Sequence, residues 1–366
     1  MRDDAPPETS KPRTELIQAH PTHTMSICVN TRILSNHLTG VQRYLLSILE
    51  HLPEKIHRIE PTCSLHGVSG HAWEQLILPS LLHNETLWSP SHTGPIAVKR
   101  QVVTIHDLST LDHPEWTSSQ FAKWYGFLLP RLIRKASRII SVSHFTKTRI
   151  VDLIGIDPDK VSVIHSGVDE RFRPTNTHVS PSLWIELQLP SPNYLLSVGS
   201  LEPRKNLPRL LKAWTLTQKE VPKNLWLVLT GSKGTPRIFK DAGIDRIPPR
   251  VHIMGHIPDN LLPSLYSGAT GFVYPSLYEG FGLPPLEAMA CGIPCAVSNQ
   301  TSLPEIVGDA ALQFDPVNIE AMANALITLI NNSNLRMELR NKGLKRASLF
   351  SWNHCAQETW NVLKSI

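Results

Sequence analysis

The chain has 366 residues, too many for one ordinary core and enough for two domains of about 150 residues each. Its composition, 41% apolar, 18% charged and 7% aromatic, excludes a disordered or fibrous protein. A net charge of +5 suits anionic ligands such as phosphates, and without a basic stripe it gives no argument for nucleic acid.

Residues 1–24 are polar and proline-rich and lack the apolar stretch of a signal peptide, so they read as a flexible tail or an upstream mis-called start. From Met25 onward, short β-branched runs alternate with amphipathic ones. "SICVN" reads as a strand, "GVQRYLLSILEHL" as a helix with apolar positions three and four apart, and "QVVTIHDLS" as a strand ending in polar residues. "SSQFAKWYGFLLPRLIRKASR" reads as a helix kinked at Pro130, followed by the strand "IISVS", the helix "HFTKTRIVDLIG" and the strand-loop "VSVIHSGVD". The basic, aromatic stretch from Lys123 to Arg138 has two readings: a face resting on a membrane, or a core helix with one wet side. "ERFRPTNTHVSPSLWIELQLPSPNY" is the linker candidate. A second alternating series follows: "YLLSVGS", "NLPRLLKAWTLTQ", "LWLVLTGS", "VHIMGH", "LPSLYSGA", "TGFVYPS", a helix near Pro285, "PCAVSN" and "IEAMANALITLINN".

This alternation predicts an α/β protein with two doubly wound domains, residues 25–180 and 190–345, and a terminal segment 346–366. No run of about 20 apolar residues spans a bilayer. Five cysteines form no regular framework, and the odd count predicts reduced thiols in a cytoplasmic protein. Cys291 and Cys295 in "CGIPC" read as small buried apolar side chains. "DPD", at Asp157 and Asp159 beside Gly155, reads as a turn rather than a metal site.

In open parallel sheets ligands sit beyond the carboxyl ends of strands. After "LLSVG", Arg204 and Lys205 stand just before a helix expected to start near Asn206, either as an anion site or as a solvated basic pair; their place at a strand end favours the anion. Lys233 in "SKG" follows the next strand in the same way. After "GFVYPS", Gly280 and Gly282 let backbone approach a ligand, and the prolines open a helix with Glu279 in the loop and Glu287 in its first turn. A capping carboxylate accounts for Glu287 but not for Glu279 or the two glycines. Amides, Arg204 and Lys205 holding a diphosphate, with Glu279 and Glu287 accepting hydroxyls on either side, describe a nucleotide sugar.

"VGSLEPRKNLPRLLKAW" and "YPSLYEGFGLPPLEAMACGIPCAVSNQTSLPEIVGDAAL" resemble the retaining glycosyltransferases of family 4, whose signature is two glutamates separated by seven residues, here Glu279 and Glu287. The likeness runs from about Ser26 to the C-terminus and is strongest over residues 195–315. It implies the GT-B fold, two Rossmann-like domains facing an interdomain cleft. It also implies that Arg204 and Lys205 bind the donor diphosphate, that Glu279 contacts the donor sugar, and that Glu287 contacts the ribose. Backbone at Phe281, Gly282 and Leu283 would face sugar and phosphates, and Ile257 in "HIMGHIP" would lie near the base. "GVQRYLLSIL" is similar to the family's glycine loop and first helix, which puts Gly40 and Val41 at the donor phosphate or acceptor. "VVTIHDLS" resembles the segment whose histidine lies near the transferred sugar, here His106, followed by Asp107. Arg43 and Arg171 are expected as surface residues. Where some members carry an arginine directly after the glycine of "VG", this chain has Ser200, so diphosphate binding rests more on Arg204 and Lys205. "FSWNHCAQETWNVLKSI" looks like the last helix, which crosses back to the first domain.

The resemblance further implies a hexosyltransferase that needs no metal or other cofactor, with the nucleotide sugar as co-substrate and His106 and Glu279 at the reacting centre. No protein nucleophile stands out, which fits front-face attack by the acceptor hydroxyl. Overall the pattern is most similar to bacterial mannose transferases of surface polysaccharide assembly. That implies GDP-mannose ahead of UDP- or dTDP-sugars, a saccharide or lipid-linked acceptor, and a place at the inner face of the cell membrane. The rival readings are a nucleotide-sugar epimerase on the same fold and a non-catalytic sugar-nucleotide-binding protein; the latter should have lost one of Glu279, Glu287, Arg204 or Lys205, and all four are present.

Overall fold

A computed structural model describes residues 26–35, 39–175, 184–185, 187–231 and 246–366. The expected tail, the middle of the linker and Lys233 lie outside the described residues.

Among the described residues, twelve strands form two six-stranded parallel sheets. The first contains β1 (Ile27–Asn30), β2 (His57–Ile59), β3 (Thr86–Ser89), β4 (Gln101–Ile105), β5 (Arg138–Ser141) and β6 (Val161–Val163), in the order β2-β1-β3-β4-β5-β6. The second contains β7 (Tyr194–Val198), β8 (Trp226–Thr230), β9 (Val251–Gly255), β10 (Gly271–Tyr274), β11 (Cys295–Ser298) and β12 (Ala311–Phe314), in the order β12-β11-β10-β7-β8-β9. The central strands are buried along their whole length, as parallel strands covered on both faces by helices must be. The strand order reverses between β1 and β3 and between β7 and β10. At such switch points the connections leave in opposite directions and open a crevice at the carboxyl ends.

The helix Ser119–Lys135 continues through Pro130. Its buried face, Leu128, Leu129, Leu132 and Ile133, holds the element together despite the hydrogen bond that proline removes. "DPD" forms a short 3-10 turn in which Asp157 accepts the N–H of Asp159 at 2.8 Å. Cys291 and Cys295 are buried thiols, and burial pushes Cys291 up to about 12. Among the described residues no helix is long and apolar enough to cross a membrane.

The two halves meet along several seams. The helix Trp352–Lys364 packs on the first-half helix Gly40–His51, with Trp352 edge-on to Tyr44 at 5.9 Å. Val168 donates its N–H to the carbonyl of Phe350 at 3.1 Å, and Arg100 reaches the carbonyl of Ile366 at 3.2 Å. One continuous apolar cluster therefore runs from Val29 and Tyr44 through Trp352 and Trp360 to Leu196 and Phe272. Glu305, in the short helix Leu303–Val307, accepts the N–H groups of His144 (2.9 Å) and Phe145 (3.2 Å) and so caps a helix of the opposite half. The tightest seam is backbone on backbone. Thr146 donates to the carbonyl of Gly280 at 3.3 Å, and a Cβ added at Gly280 would lie 1.7 Å from the carbonyl oxygen of His106.

Gly280→Ala is expected to force the halves apart. It should lower stability by about 1–3 kcal/mol in chemical denaturation while leaving the far-ultraviolet circular dichroism unchanged.

Candidate active site

The second switch point builds one wall of a cleft of about 480 Å³. After β7 the chain turns at Gly199 into the 3-10 segment Pro203–Lys205, then enters the helix Leu207–Thr217 through Asn206. Asn206 adopts a left-handed conformation (φ 59°), and its buried amide bonds the carbonyls of Pro275 (3.0 Å) and Pro316 (2.7 Å). This ties the β7 turn to the loop after β10 and points both basic side chains at Glu279. Arg204 meets Oε2 of Glu279 at 3.1 Å, and Lys205 meets Oε1 at 2.5 Å. The Tyr274 hydroxyl donates to Oε1 at 2.9 Å while accepting from Lys205 at 2.8 Å. Arg204 also pairs with Glu202 at 2.8 Å.

Burial opposes the charge of Glu279, but Lys205 and Arg204 outweigh it and hold the carboxyl below its usual range. Burial likewise opposes the charge of Arg204, and Glu279, Glu202 and Asp107 outweigh it. The cluster thus sets two cations, Arg204 and Lys205, against two carboxylates, Glu279 and Glu202, and burial pulls the Lys205 ammonium below its usual range.

Glu287 differs from expectation. The helix starts at Leu283, with Gly282 (φ 118°) leading into it, so Glu287 lies in its second turn and does not cap its N-terminus. The Tyr266 hydroxyl donates to Glu287 at 2.9 Å, and Arg43 stands 3.7 Å away. Burial dominates these contacts and pushes the carboxyl up to about 7.

Two arginines expected at the surface are in the gap between the halves. Arg43 pairs with Asp259 and reaches Glu287, and Arg171 lies 3.9 Å from Asp259. Asp259 was not singled out in the sequence. The available signal was that Arg43 lies three residues after Gly40, on the same helical face as the glycine loop.

From the first half, β4 delivers His106, whose Nε2 contacts the carbonyl of Pro90 at 2.8 Å. Its ring packs on Tyr44 (4.7 Å) and His92 (4.9 Å). Burial, then the neighbouring His92, push it down to about 3, so it is a neutral imidazole whose Nε2–H donates to Pro90. Asp107 stays ionised, because His92, Arg204 and Ser109 outweigh its burial.

Gly40, Val41 and His106 line this cleft from one side. Arg204, Lys205, Ile257, Glu279 and Glu287 line it from the other, with Phe281, Gly282 and Leu283 along the floor. The side chain of Phe281 turns away to pack near His165 and Phe350, leaving its backbone at the cleft. Elsewhere, His144, His165 and Glu305 carry donor atoms within 4.8 Å of one another, a set able to hold a metal ion. Glu305 is engaged there with His165 at 2.6 Å and with two backbone amides.

Comparison with known proteins agrees with this architecture. Residues 185–346 match the family described as "Glycosyl transferases group 1", and residues 69–172 match "Glycosyltransferase Family 4". The chain is 34% identical to the Escherichia coli "O-antigen chain mannosyltransferase B", across 93% of this chain and 100% of that protein. Its fold is similar to sucrose-phosphate synthase from Thermosynechococcus elongatus (TM-score 0.72, 18% identity, 93% of this chain and 98% of the other). It is also similar to Anabaena HepE in complex with UDP-glucose (TM-score 0.70, 18% identity, 93% and 100%). With two parallel sheets facing a cleft and a relative matched over its full length, this chain belongs to the family 4 glycosyltransferases and has their GT-B fold.

Proposed function

We propose that this glycosyltransferase moves mannose from GDP-mannose to a saccharide or lipid-linked acceptor in surface polysaccharide synthesis, with retention of configuration and without a metal. The observation that carries the reading is the Arg204–Lys205–Glu279 cluster, set opposite the amides that open the helix Leu283–Ala290. The name of the Escherichia coli relative supports mannose as the transferred sugar and polysaccharide as its destination.

In the ion-paired cluster Glu279 satisfies both cations. A diphosphate brings more negative charge than one carboxylate, so Arg204 and Lys205 turn to it, and Glu279 becomes free to accept sugar hydroxyls. As the glycosidic bond breaks, charge grows on the departing diphosphate. The guanidinium, the ammonium and the helix amides are already oriented to stabilise that charge, so a metal is not required. Glu287 and Ile257 line the same cleft, and on this reading they meet the ribose and the base. His106, being neutral, acts by hydrogen bonding and packing near the sugar rather than as a charge carrier. The exposed ring of Phe127, with Arg131 3.9 Å above it, supports contact between the helix Ser119–Lys135 and an anionic membrane on the cytoplasmic side.

A thermal-shift screen of nucleotide sugars should give its largest stabilisation with GDP-mannose, unchanged by EDTA; a UDP-sugar in first place would overturn the donor. Arg204→Ala should abolish that shift and lower kcat/KM by about 100-fold or more. A second prediction concerns pH. The folded value of Glu287, about 7, lies above its ordinary 4.5. The folded protein therefore retains a proton that the unfolded chain releases, and stability falls as pH rises through that window, by about 3 kcal/mol at most. Glu287→Gln removes the penalty. It should raise the melting temperature at pH 8, lose that advantage as the pH is lowered toward 4.5, and weaken donor binding at both.

A further inference from the structure

Beside the donor cleft lies a second cavity of about 370 Å³, within the size range of pockets that hold small molecules. The two share Asp107, Glu202 and Arg204, so the second cavity opens next to Glu279, where the donor sugar is placed.

Its far wall is aromatic. Trp116 stacks on His113 with centroids 3.9 Å apart and planes 13° from parallel, and Phe121 stacks on Tyr125 at 4.2 Å and 26°. The wall is braced from the second half of the chain. Tyr278 presents its ring at steep angles to His113 (5.7 Å) and Trp116 (6.4 Å), while its hydroxyl donates to Asp112 at 2.7 Å. Arg149 holds the same carboxylate from the other side, at 2.5 Å. Phe121 nevertheless keeps 42% of its surface exposed. Packing alone explains stacked rings; it does not explain why they border a cavity whose other side carries Asp107 and Ser109.

His92 also lines the cavity, with φ 63° in a residue that is not glycine. Its N–H donates to the carbonyl of Thr104 at 3.1 Å, and its Nδ1 accepts the N–H of His106 at 3.4 Å. Backbone held in that region is strained and gathers where a site needs a particular geometry.

A pyranose has this chemistry in reverse: an apolar C–H face that lies on an aromatic ring and a rim of hydroxyls that bond carboxylates and serines. We propose that the cavity is the acceptor subsite, where the terminal ring of a saccharide acceptor lies on Trp116 and Phe121. Its hydroxyls meet Asp107 and Ser109, and one of them points past Arg204 at the donor sugar. The proposal rests on the glycosyl-transfer reading above and adds which acceptor chemistry the site takes and which residues recognise it.

The test is saturation-transfer NMR with methyl α-D-mannopyranoside and α-mannobiose on the full chain, with a parallel thermal shift by GDP. Wild-type protein should saturate at least one of the two probes. Trp116→Ala and Phe121→Ala should each cut the transfer at least about fivefold and leave the GDP shift unchanged, since neither residue touches the donor cleft, whereas Trp116→Phe should retain most of it. Variants that saturate like wild type, variants that lose the GDP shift in step with the sugar signal, or no transfer from either probe would each overturn the subsite. Sugar transfer that falls in the variants while GDP gives no shift even in wild type keeps the subsite and removes the donor assignment.

Discussion

The buried meeting of one carboxylate with two cations governs the layout of the second half. Glu279 is 7% exposed and Lys205 8%, so neither has bulk water to fall back on. Removing one partner from such a group leaves a stranded charge that costs about 3–5 kcal/mol. The turn after β7 and the loop after β10 must therefore stay in register, and the backbone bends to keep them so. Asn206 and Thr301 both adopt left-handed conformations, and Thr301 uses its hydroxyl to accept the N–H of Glu279 at 3.1 Å. At these two positions the left-handed backbone serves the charge cluster.

The first half answers with a different device. Glu74 is fully buried and is met by Arg32 (3.3 Å), Asn30 (2.6 Å) and Thr93 (3.0 Å). That network ties the end of β1 to the segment beyond β3, the two strands flanking its switch point. Each half thus fixes its crevice with buried charge, and the crevices face each other across Gly280. The neutral His106 and the ionised Asp107 show how far neighbours decide the outcome: adjacent half-buried residues of the same cleft end in opposite charge states.

Much of this was legible in the chain. Strand-end motifs located the basic pair, both glutamates and His106, because each follows a short apolar run whose burial is forced. Other elements carried weaker signals. β2 is an edge strand of three residues, two of them exposed, and β3 reads "TLWS" before a proline, too short for alternation to register. The helix Ser333–Ala347 is mostly polar, with only Leu339, Gly343 and Ala347 buried, so its periodicity is faint. Glu287 was placed one turn too early because the prolines mark the start of the helix only loosely. The cleft positions of Arg43 and Arg171 were out of reach for another reason: Asp259 lies 216 residues from Arg43, and no local pattern encodes such a pairing.

The helix Trp352–Lys364 has a consequence for how the chain is made. It supplies Trp352, Cys355 and Trp360 to apolar packing that begins with β1 and Tyr44. A ribosome emits β1 long before this helix, so the first half waits, with part of its core uncovered, until the helix emerges. The first core to be started is among the last to be closed.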